Sequence, residues 1–467
     1  MTATLPALPG EIRAFAGDVL ARWGVPGAAI GILRDGEAAF ASFGVSSLET
    51  QQPVTPETLF RVASISKPFT ATLVMTLVHD GLLDLDAPII GYLPGIALSD
   101  GPADWQEAIT MRHLLSHTAG IDCELGVDLA AAGMGDDALT AAIGHYGSLH
   151  QWGAPGLVMS YGNTGFWLAG HVAATILGQS FEDAMRERVF APLGLERSVY
   201  TAEEAIVYPV ALGHQPTSLT GTVHELIRSY AYPRARRPSG GVISTVVDLL
   251  RFAGWHMGGF PADIHLSSQL RDAMRDPVIR LRAADAEAWG IGWNLDPAND
   301  GTVVIGHGGS FGGFQTQLTL VPERGWAMAI LTNSGRGGMA NAEIEHWLLA
   351  NDLGLDVSDP APVPLAPEAL APFAGAFRQP EASFAFSVAD GGLEMAFTEA
   401  YGPVPGEVPP PVRLLPVGER DFLAVDGPFK GTRADFIPDP ETGDFTKVRV
   451  GVRVARRISG ADRNGPA

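Results

Sequence analysis

Residues 302–334 read TVVIGHGGSFGGFQTQLTLVPERGWAMAILTNS, a series of apolar and β-branched runs interrupted by glycines and one charged turn. Such runs are typical of neighbouring β-strands. Near the start of the chain, Ala28–Leu33 and Ala38–Phe43 flank Asp35-Gly36, a pair that favours a tight hairpin turn. Helical patterns and loops dominate between about 95 and 245. The sequence therefore predicts an α+β fold, in which strands from both ends of this region form one antiparallel sheet flanked by helices.

Several segments carry apolar residues at helical spacing. We expect helices over residues 11–23, 64–80, Trp167–Ile176 and Phe181–Phe190, and we expect Gly81 to end the second of them. The sequence contains no internal repeat.

A change in composition predicts a second domain. Residues 356–368 read DVSDPAPVPLAPE, which is proline-rich, acidic and typical of a linker. Beyond it we expect short strands at Phe384–Val388, Leu393–Phe397, Phe422–Val425 and Val448–Val454, and a long loop at 402–412. We therefore predict a main domain over 1–355, a linker over 356–370 and a small all-β, barrel-like domain over 371–467.

Charge and cysteine content exclude several classes of protein. The 467 residues include 31 Lys and Arg against 52 Asp and Glu, a formal charge of −21. Such a surface repels nucleic acid and anionic membranes, so neither is an expected partner. A single cysteine, Cys123, excludes an internal disulfide. The N-terminal residues do not resemble a signal peptide and no apolar run is long enough to span a bilayer, so we expect a soluble, cytoplasmic protein.

One of the three lysines lies close to a serine. Lys67 follows Ser64 by three residues in the segment ASISK, 63–67. At a helix start, positions i and i+3 share a face, so the amine would lie beside the hydroxyl. A desolvated lysine can lose its proton, and its neutral amine could then activate the hydroxyl as a nucleophile. The alternative is a helix-capping Ser64 with a solvated Lys67.

Two further segments could complete such a site. In SYGNTG, 160–165, the Tyr161 hydroxyl could relay a proton while the Asn163 amide orients it, although an ordinary turn is the alternative. In GHGGSFGG, 306–313, glycines around His307 would let a substrate approach the backbone and receive an N–H at a developing oxyanion. Here the alternative is a glycine-rich hairpin or bulge.

Taken in this order, the three segments resemble the Ser-x-x-Lys, Tyr-x-Asn and His-x-Gly motifs of the penicillin-recognising serine hydrolases. This superfamily includes class C β-lactamases, DD-carboxypeptidases, D-aminopeptidases and β-lactamase-like carboxylesterases. The resemblance covers roughly residues 10–350. It implies a β-lactamase/transpeptidase-like sheet with a helical lobe and a site in the cleft between them. The last hundred or so residues resemble the barrel-like domains appended to some D-aminopeptidases.

The resemblance implies a role for each motif residue and no metal or other cofactor. Ser64 is the expected nucleophile, Lys67 the general base and Tyr161 the proton donor to the leaving group. Asn163, His307 and Gly308, Gly309 and Ser310 are expected to bind the substrate, with the N–H groups of Ser64 and Ser310 forming an oxyanion hole.

The third motif departs from the Lys-Thr-Gly of many β-lactamases. His307 is only partly charged near neutral pH and is a weaker anchor for a substrate carboxylate. We therefore predict a serine hydrolase that cleaves an ester or amide, either a D-amino-acid peptide or a small carboxylic ester, through a Ser64 acyl-enzyme. A β-lactamase or DD-carboxypeptidase and a catalytically silent, penicillin-binding-like scaffold protein are the alternatives. The expected partner is a small-molecule or short-peptide substrate, and no oligomeric state is predicted.

Two other patterns match a known site only in part. Residues 308–312 match Gly-x-Ser-x-Gly, but the nucleophile elbow requires a helix after Ser310, where a strand is expected. His113 and His117 are four residues apart and could share a metal, but no acidic ligand lies nearby in sequence. We expect neither pattern to form a catalytic or metal site.

Overall fold

The structure is a computed structural model that describes residues 5–125, 129–218, 221–281, 287–399, 404 and 406–458. The main region is α+β. Its helices are α1 (Gly10–Arg22), α2 (Ser66–His79), α3 (Ala103–Glu107), α4 (Met111–Leu115), α5 (Ala138–Ile143), α6 (Thr164–Leu177), α7 (Phe181–Met185), α8 (Ala191–Leu193), α9 (Ala202–Ala205), α10 (Arg237–Gly240), α11 (Val246–His256), α12 (Ser268–Ala273) and α13 (Gly337–Leu353). No helix in the described ranges has the length and apolar character needed to cross a membrane.

The main sheet is antiparallel and its strands come from both ends of the region. In chain order the strands are β1 (Gly27–Arg34), β2 (Glu37–Gly44), β3 (Phe60–Arg61), β4 (His214–Pro216), β5 (His224–Leu226), β6 (Ile243–Ser244), β7 (Ile279–Arg280), β8 (Ala288–Trp289), β9 (Asn294–Pro297), β10 (Val303–Phe311), β11 (Phe314–Val321) and β12 (Trp326–Thr332). Eight of them form one sheet in the order β2-β1-β12-β11-β10-β9-β8-β7, while β3 pairs with β6 and β4 with β5. Strand β1 pairs with β12 in the register Ala28–Thr332, so the predicted closure of the sheet is confirmed.

The two faces of this sheet pack against different helices. Helices α2, α6 and α11 contribute to the larger core on one face, and α1 and α13 cover the other. Side chains alternate between these faces along each strand. In β10, Ile305 belongs to the larger core and Val304 to the core under α13.

Most of the predicted helices are found, with one local difference. Residues 11–23 and 64–80 are helical as α1 and α2, and a single 3₁₀ turn at Ala63–Ile65 precedes the second. Only the first half of the predicted helix Phe181–Phe190 is α-helical, as α7, because Arg186–Phe190 form a π-type turn. Pro192 follows, and its missing N–H removes a helical hydrogen bond at this point.

The C-terminal region is a closed antiparallel barrel. A short helix, α14 (Pro367–Leu370), leads into β13 (Gly375–Gln379), β14 (Ala382–Ala389), β15 (Gly392–Phe397), β16 (Val412–Pro416), β17 (Asp421–Ala424), β18 (Arg433–Pro438), β19 (Phe445–Val450) and β20 (Arg453–Ile458). Aromatic rings, among them Phe377 and Phe436, fill its core. The predicted fold class, including this barrel, is confirmed.

One strand prediction in the barrel is wrong. The prediction of a single strand over Val448–Val454 fails, because the chain turns between β19 and β20. Gly451 has φ +61°, a left-handed conformation that ends the first strand. The segment 354–366 is neither helix nor strand, and the division of the chain at 1–355, 356–370 and 371–467 stays a prediction. Within the predicted loop 402–412, residues 402, 403 and 405 lie outside the described residues.

Candidate active site

The predicted serine and lysine lie side by side. Ser64 is in the 3₁₀ turn just before α2, and Lys67 is in the first turn of that helix. The distance from Lys67 Nζ to Ser64 Oγ is 3.1 Å. The alternative of a capping serine with a solvated lysine is wrong, because Lys67 is fully buried and no side chain among the described residues caps α2.

The surroundings of Lys67 favour a neutral amine. Burial lowers the pKa of Lys67 well below its usual value; Glu124 opposes this shift and Arg453 adds to it. The Nζ atom donates to Asn163 Oδ1 at 2.6 Å and to the Ser239 carbonyl oxygen at 3.0 Å. Both oxygens can only accept, so they take the two N–H groups of a neutral amine. The remaining lone pair is then free to accept the hydrogen of the Ser64 hydroxyl.

Tyr161 also forms a hydrogen bond with the Ser64 side chain. It directly precedes the segment that starts α6, and its side chain is almost completely buried. Burial raises the pKa of Tyr161 well above its usual value, and a hydrogen bond with Ser64 offsets this only in part. The phenol is therefore protonated at neutral pH. Its ring packs 4.4 Å from that of His117 and 4.7 Å from Lys67 Nζ.

The free edge of β10 forms the opposite wall. Strand β9 pairs with β10 only over 303–306, so residues 307–311 pair with no further strand of the described ranges on that side. The two-residue turn Gly312-Gly313 joins β10 to β11, with both glycines left-handed. In such a hairpin the backbone groups of Phe311 and Phe314 are hydrogen-bonded to each other. Because successive N–H groups of a strand point to opposite sides, the N–H of Ser310 points away from β11 and towards the open edge.

Gly309 brings this edge against the nucleophile. A Cβ atom at Gly309 would lie 3.2 Å from the Ser64 nitrogen and would collide with the Val62 carbonyl oxygen. Only a glycine allows the strand to approach the 3₁₀ turn so closely. The N–H groups of Ser64 and Ser310 consequently lie near each other, as an oxyanion hole requires.

His307 lines the cleft as an uncharged ring. Burial, with a contribution from Lys67, lowers the pKa of His307 to about 3. Its Nδ1 lies 2.6 Å from the Gly308 carbonyl oxygen and must donate to it, so Nε2 is an acceptor. Nε2 has no hydrogen-bond partner within the described ranges. The third motif thus carries a buried, unpartnered acceptor and no positive charge.

Two residues of the site were not predicted. Glu124 accepts a hydrogen bond from Asn163 Nδ2 and lies 4.0 Å from Arg453. Arg453 comes from barrel strand β20, lies 5.6 Å from the Tyr161 ring centroid and forms an ion pair with Glu381. Nothing in the sequence near Arg453 resembles a catalytic motif, so only the docking of the barrel could identify it.

The barrel also contacts the backbone of the Tyr161 segment. The Tyr161 N–H donates to the Val452 carbonyl oxygen at 2.8 Å, and the Val454 N–H donates to Ser160 Oγ at 3.1 Å. The buried Arg449 donates to the Met159 carbonyl oxygen at 3.0 Å. Residues from both regions line one cavity of about 1910 Å³ that contains Ser64.

The surroundings of Ser310 differ from those of a nucleophile elbow. The surroundings of His113 and His117 differ from those of a shared metal site. Ser310 lies within β10 and is followed by a tight turn and β11, without the helix of a nucleophile elbow. His113 forms a reciprocal cap with Thr110 at the start of α4. His117 accepts from the Gly162 N–H and packs against Tyr161. The two histidines therefore serve different contacts.

Comparisons with known proteins agree with this architecture. The sequence profile of the beta-lactamase family matches residues 12–352. Penicillin-binding protein 4 of Amycolatopsis lactamdurans is 34% identical over 367 residues, which cover 76% of this chain and 93% of that protein. The chain belongs to the beta-lactamase family and has the fold of its serine hydrolases.

Solved structures extend the similarity to the barrel. The crystal structure of SurE has a TM-score of 0.73 and 27% identity, covering 96% of this chain and 98% of that one. SurE has also been solved with D-Leu, with a TM-score of 0.70 and 25% identity over 96% of this chain and 99% of that one. The octameric penicillin-binding protein homologue from Pyrococcus abyssi has a TM-score of 0.64 and 25% identity, covering 96% of this chain and 99% of that chain.

Proposed function

We propose that this chain hydrolyses an ester or amide of a D-amino-acid peptide through an acyl-enzyme on Ser64. The observation that carries the proposal is the buried Lys67 amine, 3.1 Å from Ser64 Oγ, with its two N–H groups directed at oxygen acceptors. A neutral amine in this position is a base for the hydroxyl proton.

The proposed reaction has two halves. Ser64 Oγ attacks the substrate carbonyl carbon while its proton moves to Lys67 Nζ, and the oxyanion accepts from the N–H groups of Ser64 and Ser310. The bond to the leaving group then breaks, and the leaving atom takes a proton from Tyr161, which recovers one from Lys67. A water molecule reverses these steps to release the acid and Ser64.

The preference for a D-configured substrate rests on similarity and on the charge of the cleft. SurE, which matches this chain over both regions, has been solved with D-Leu. The neutral His307 gives no cation to a β-lactam carboxylate, which favours peptides over β-lactams. Four arginines line the cavity and could meet a substrate carboxylate: Arg236, Arg280, Arg433 and Arg453.

Two alternatives remain, a β-lactamase or DD-carboxypeptidase and a silent scaffold, and a first experiment separates the silent scaffold from the active enzymes. The protein is incubated with a fluorophosphonate and with labelled penicillin, and the Ser64 peptide is analysed by mass spectrometry. An adduct on Ser64 that is absent from Ser64→Ala supports the proposal. Absence of any adduct would favour the silent scaffold. Ser310→Ala is a matched control, because it removes a cleft hydroxyl and keeps both oxyanion-hole N–H groups.

A substrate panel then assigns the activity. We expect a D-amino-acid amide or ester to be turned over at least about tenfold faster than its L-enantiomer. Faster hydrolysis of nitrocefin than of the D-amino-acid substrates would assign a β-lactamase, and preference for small acyl esters without stereoselectivity would assign an esterase.

A further inference from the structure

The sheet has a hollow on the face opposite Ser64. Asn294 of β9, Gly306 of β10 and Thr319 of β11 are paired in one row across three strands. Gly308, two residues further along β10, shares this face. Because neither glycine has a side chain, backbone forms the floor between the side chains of β9 and β11. A Cβ at Gly306 would lie 3.3 Å from the Leu318 carbonyl oxygen and 3.5 Å from Gln317 Nε2.

Two half-buried carboxylates stand on either side of this floor. Asp296 is on the β9 side and accepts from Asn294 Nδ2 at 2.6 Å. Glu345, on α13, is on the β11 side and accepts from Thr319 Oγ1 and from Gln317 Nε2. All of these side chains line the cavity that contains Ser64.

An unpartnered amide oxygen faces the same space. Asn341 lies one helical turn before Glu345 on α13, so the two side chains share a face. Asn341 is only 4% exposed, and its Oδ1 has no hydrogen-bond partner in the part of the chain that is described. A buried acceptor without a donor is costly to the fold unless a ligand supplies the donor.

The charges around the hollow favour a cationic ligand. Burial raises the pKa of Asp296 to about 7, with further contributions from Glu287 and Glu345, and Arg433 opposes them. Burial also raises the pKa of Glu345, which His346 opposes. An ammonium group bears a positive charge and three donors, so it would offset both carboxylates and satisfy Asn341.

The position of the hollow sets the length of its ligand. Gly306 is three residues along β10 from Gly309, which touches the nucleophile turn, and this corresponds to about 10 Å of strand. A substrate lying along the free edge of β10, residues 307–311, would run from Ser64 to Asn294, where β9 occupies the edge. A long side chain on its third residue from the reacting carbonyl would have to pass beneath this edge to reach the hollow on the other face.

We propose that this hollow binds an aliphatic ammonium group that the substrate carries about three residues from the carbonyl attacked by Ser64. The inference rests on the proposed function, since it assumes that a peptide occupies the β10 edge. It makes the protein selective for cationic peptides, with Asp296, Glu345 and Asn341 as the recognising groups.

Calorimetric titration of the Ser64→Ala protein tests this without turnover. The probes are the peptides acetyl-Lys-Ala-Ala-D-Leu-amide and the same peptide with an acetylated lysine side chain. We expect the free lysine to bind at least about tenfold more tightly, and we expect Glu345→Gln to reduce this ratio several-fold. Glu343→Gln, a surface carboxylate two residues away on α13 that pairs with Arg22, should leave the ratio unchanged.

Equal affinity for the two peptides would overturn the inference, as would an undiminished ratio in both Glu345→Gln and Asp296→Asn. The second variant gives the answer if the first does not fold. Binding is measured on a protein without its nucleophile, so a failure to acylate Ser64 would count against the proposed function alone.

Discussion

At the scale of single residues, the site depends on how Lys67 and Tyr161 are buried. Burial favours the neutral form of each group, so the amine loses its proton and the phenol keeps one. In the proposed mechanism, the same physical effect would prepare both a base and an acid beside Ser64. The i, i+3 spacing of Ser64 and Lys67 made their contact predictable, because it depends only on local helix geometry.

Replacement of Lys67 by arginine tests the role of the neutral amine. A guanidinium keeps its proton in a protein, so we expect Lys67→Arg to slow acylation of Ser64 at least about 100-fold. The rate of adduct formation with a D-amino-acid ester measures this. Acylation at the rate of the wild-type protein would show that Lys67 is not the base.

The lowered pKa of Lys67 also predicts how the stability of the protein changes with pH. Its pKa in the folded protein lies well below the 10.5 of an exposed lysine, so unfolding takes up a proton between these two values. The free energy of unfolding should therefore rise with pH in that window by up to about 1.4 kcal/mol per unit, relative to Lys67→Met. Urea titrations at pH 7, 8 and 9 measure the difference. A constant difference would mean that Lys67 stays charged.

At the scale of elements, the edge of β10 forms the site because its neighbour β9 is short. The sequence predicted the strands on both sides of the Gly312-Gly313 turn, since they alternate or run apolar. It did not predict where β9 ends, because pairing between strands depends on contacts that no local pattern records. The same limit explains why a single strand was predicted over Val448–Val454, although the chain reverses at Gly451.

Gly309 allows a test of this edge. The added methyl group of Gly309→Ala would meet the Val62 carbonyl oxygen and push the strand away from Ser64. We expect kcat to fall about 100-fold or more, as on loss of an oxyanion-hole donor. Gly91→Ala is the control, because a methyl group there has no neighbour within 4 Å. Equal kcat values for the two variants would contradict the proposed hole.

At the scale of the whole molecule, the barrel is part of the site. Arg449 is 3% exposed, pairs with Asp435 and donates to the carbonyl oxygens of Met159 and Leu281. The contact to Met159 joins residues 290 positions apart. No sequence pattern connects such positions, so the barrel was predicted as a fold and its contribution of Arg453 to the cleft was not.

The docking of the barrel can be weakened without leaving a buried charge. The double substitution Arg449→Met with Asp435→Asn removes the ion pair and the bonds to Met159 and Leu281. We expect kcat with a small ester to fall at least about tenfold, because Tyr161 is then held less firmly. Arg457→Met is the control, since the hydrogen bonds of Arg457 to described residues go to carbonyls of the barrel region, those of Phe445, Ala374 and Pro372. An unchanged kcat in the double variant would separate the barrel from catalysis.

The bond between Val454 and Ser160 has a consequence for biosynthesis. A ribosome adds Ser160 to the nascent chain 294 residues before it adds Val454. The motif residues are thus all translated, and the sheet that carries them completed, before the strands that secure Tyr161 exist. On this geometry, the centre stays unfinished until the last barrel strand has been synthesised and has docked against the Tyr161 segment.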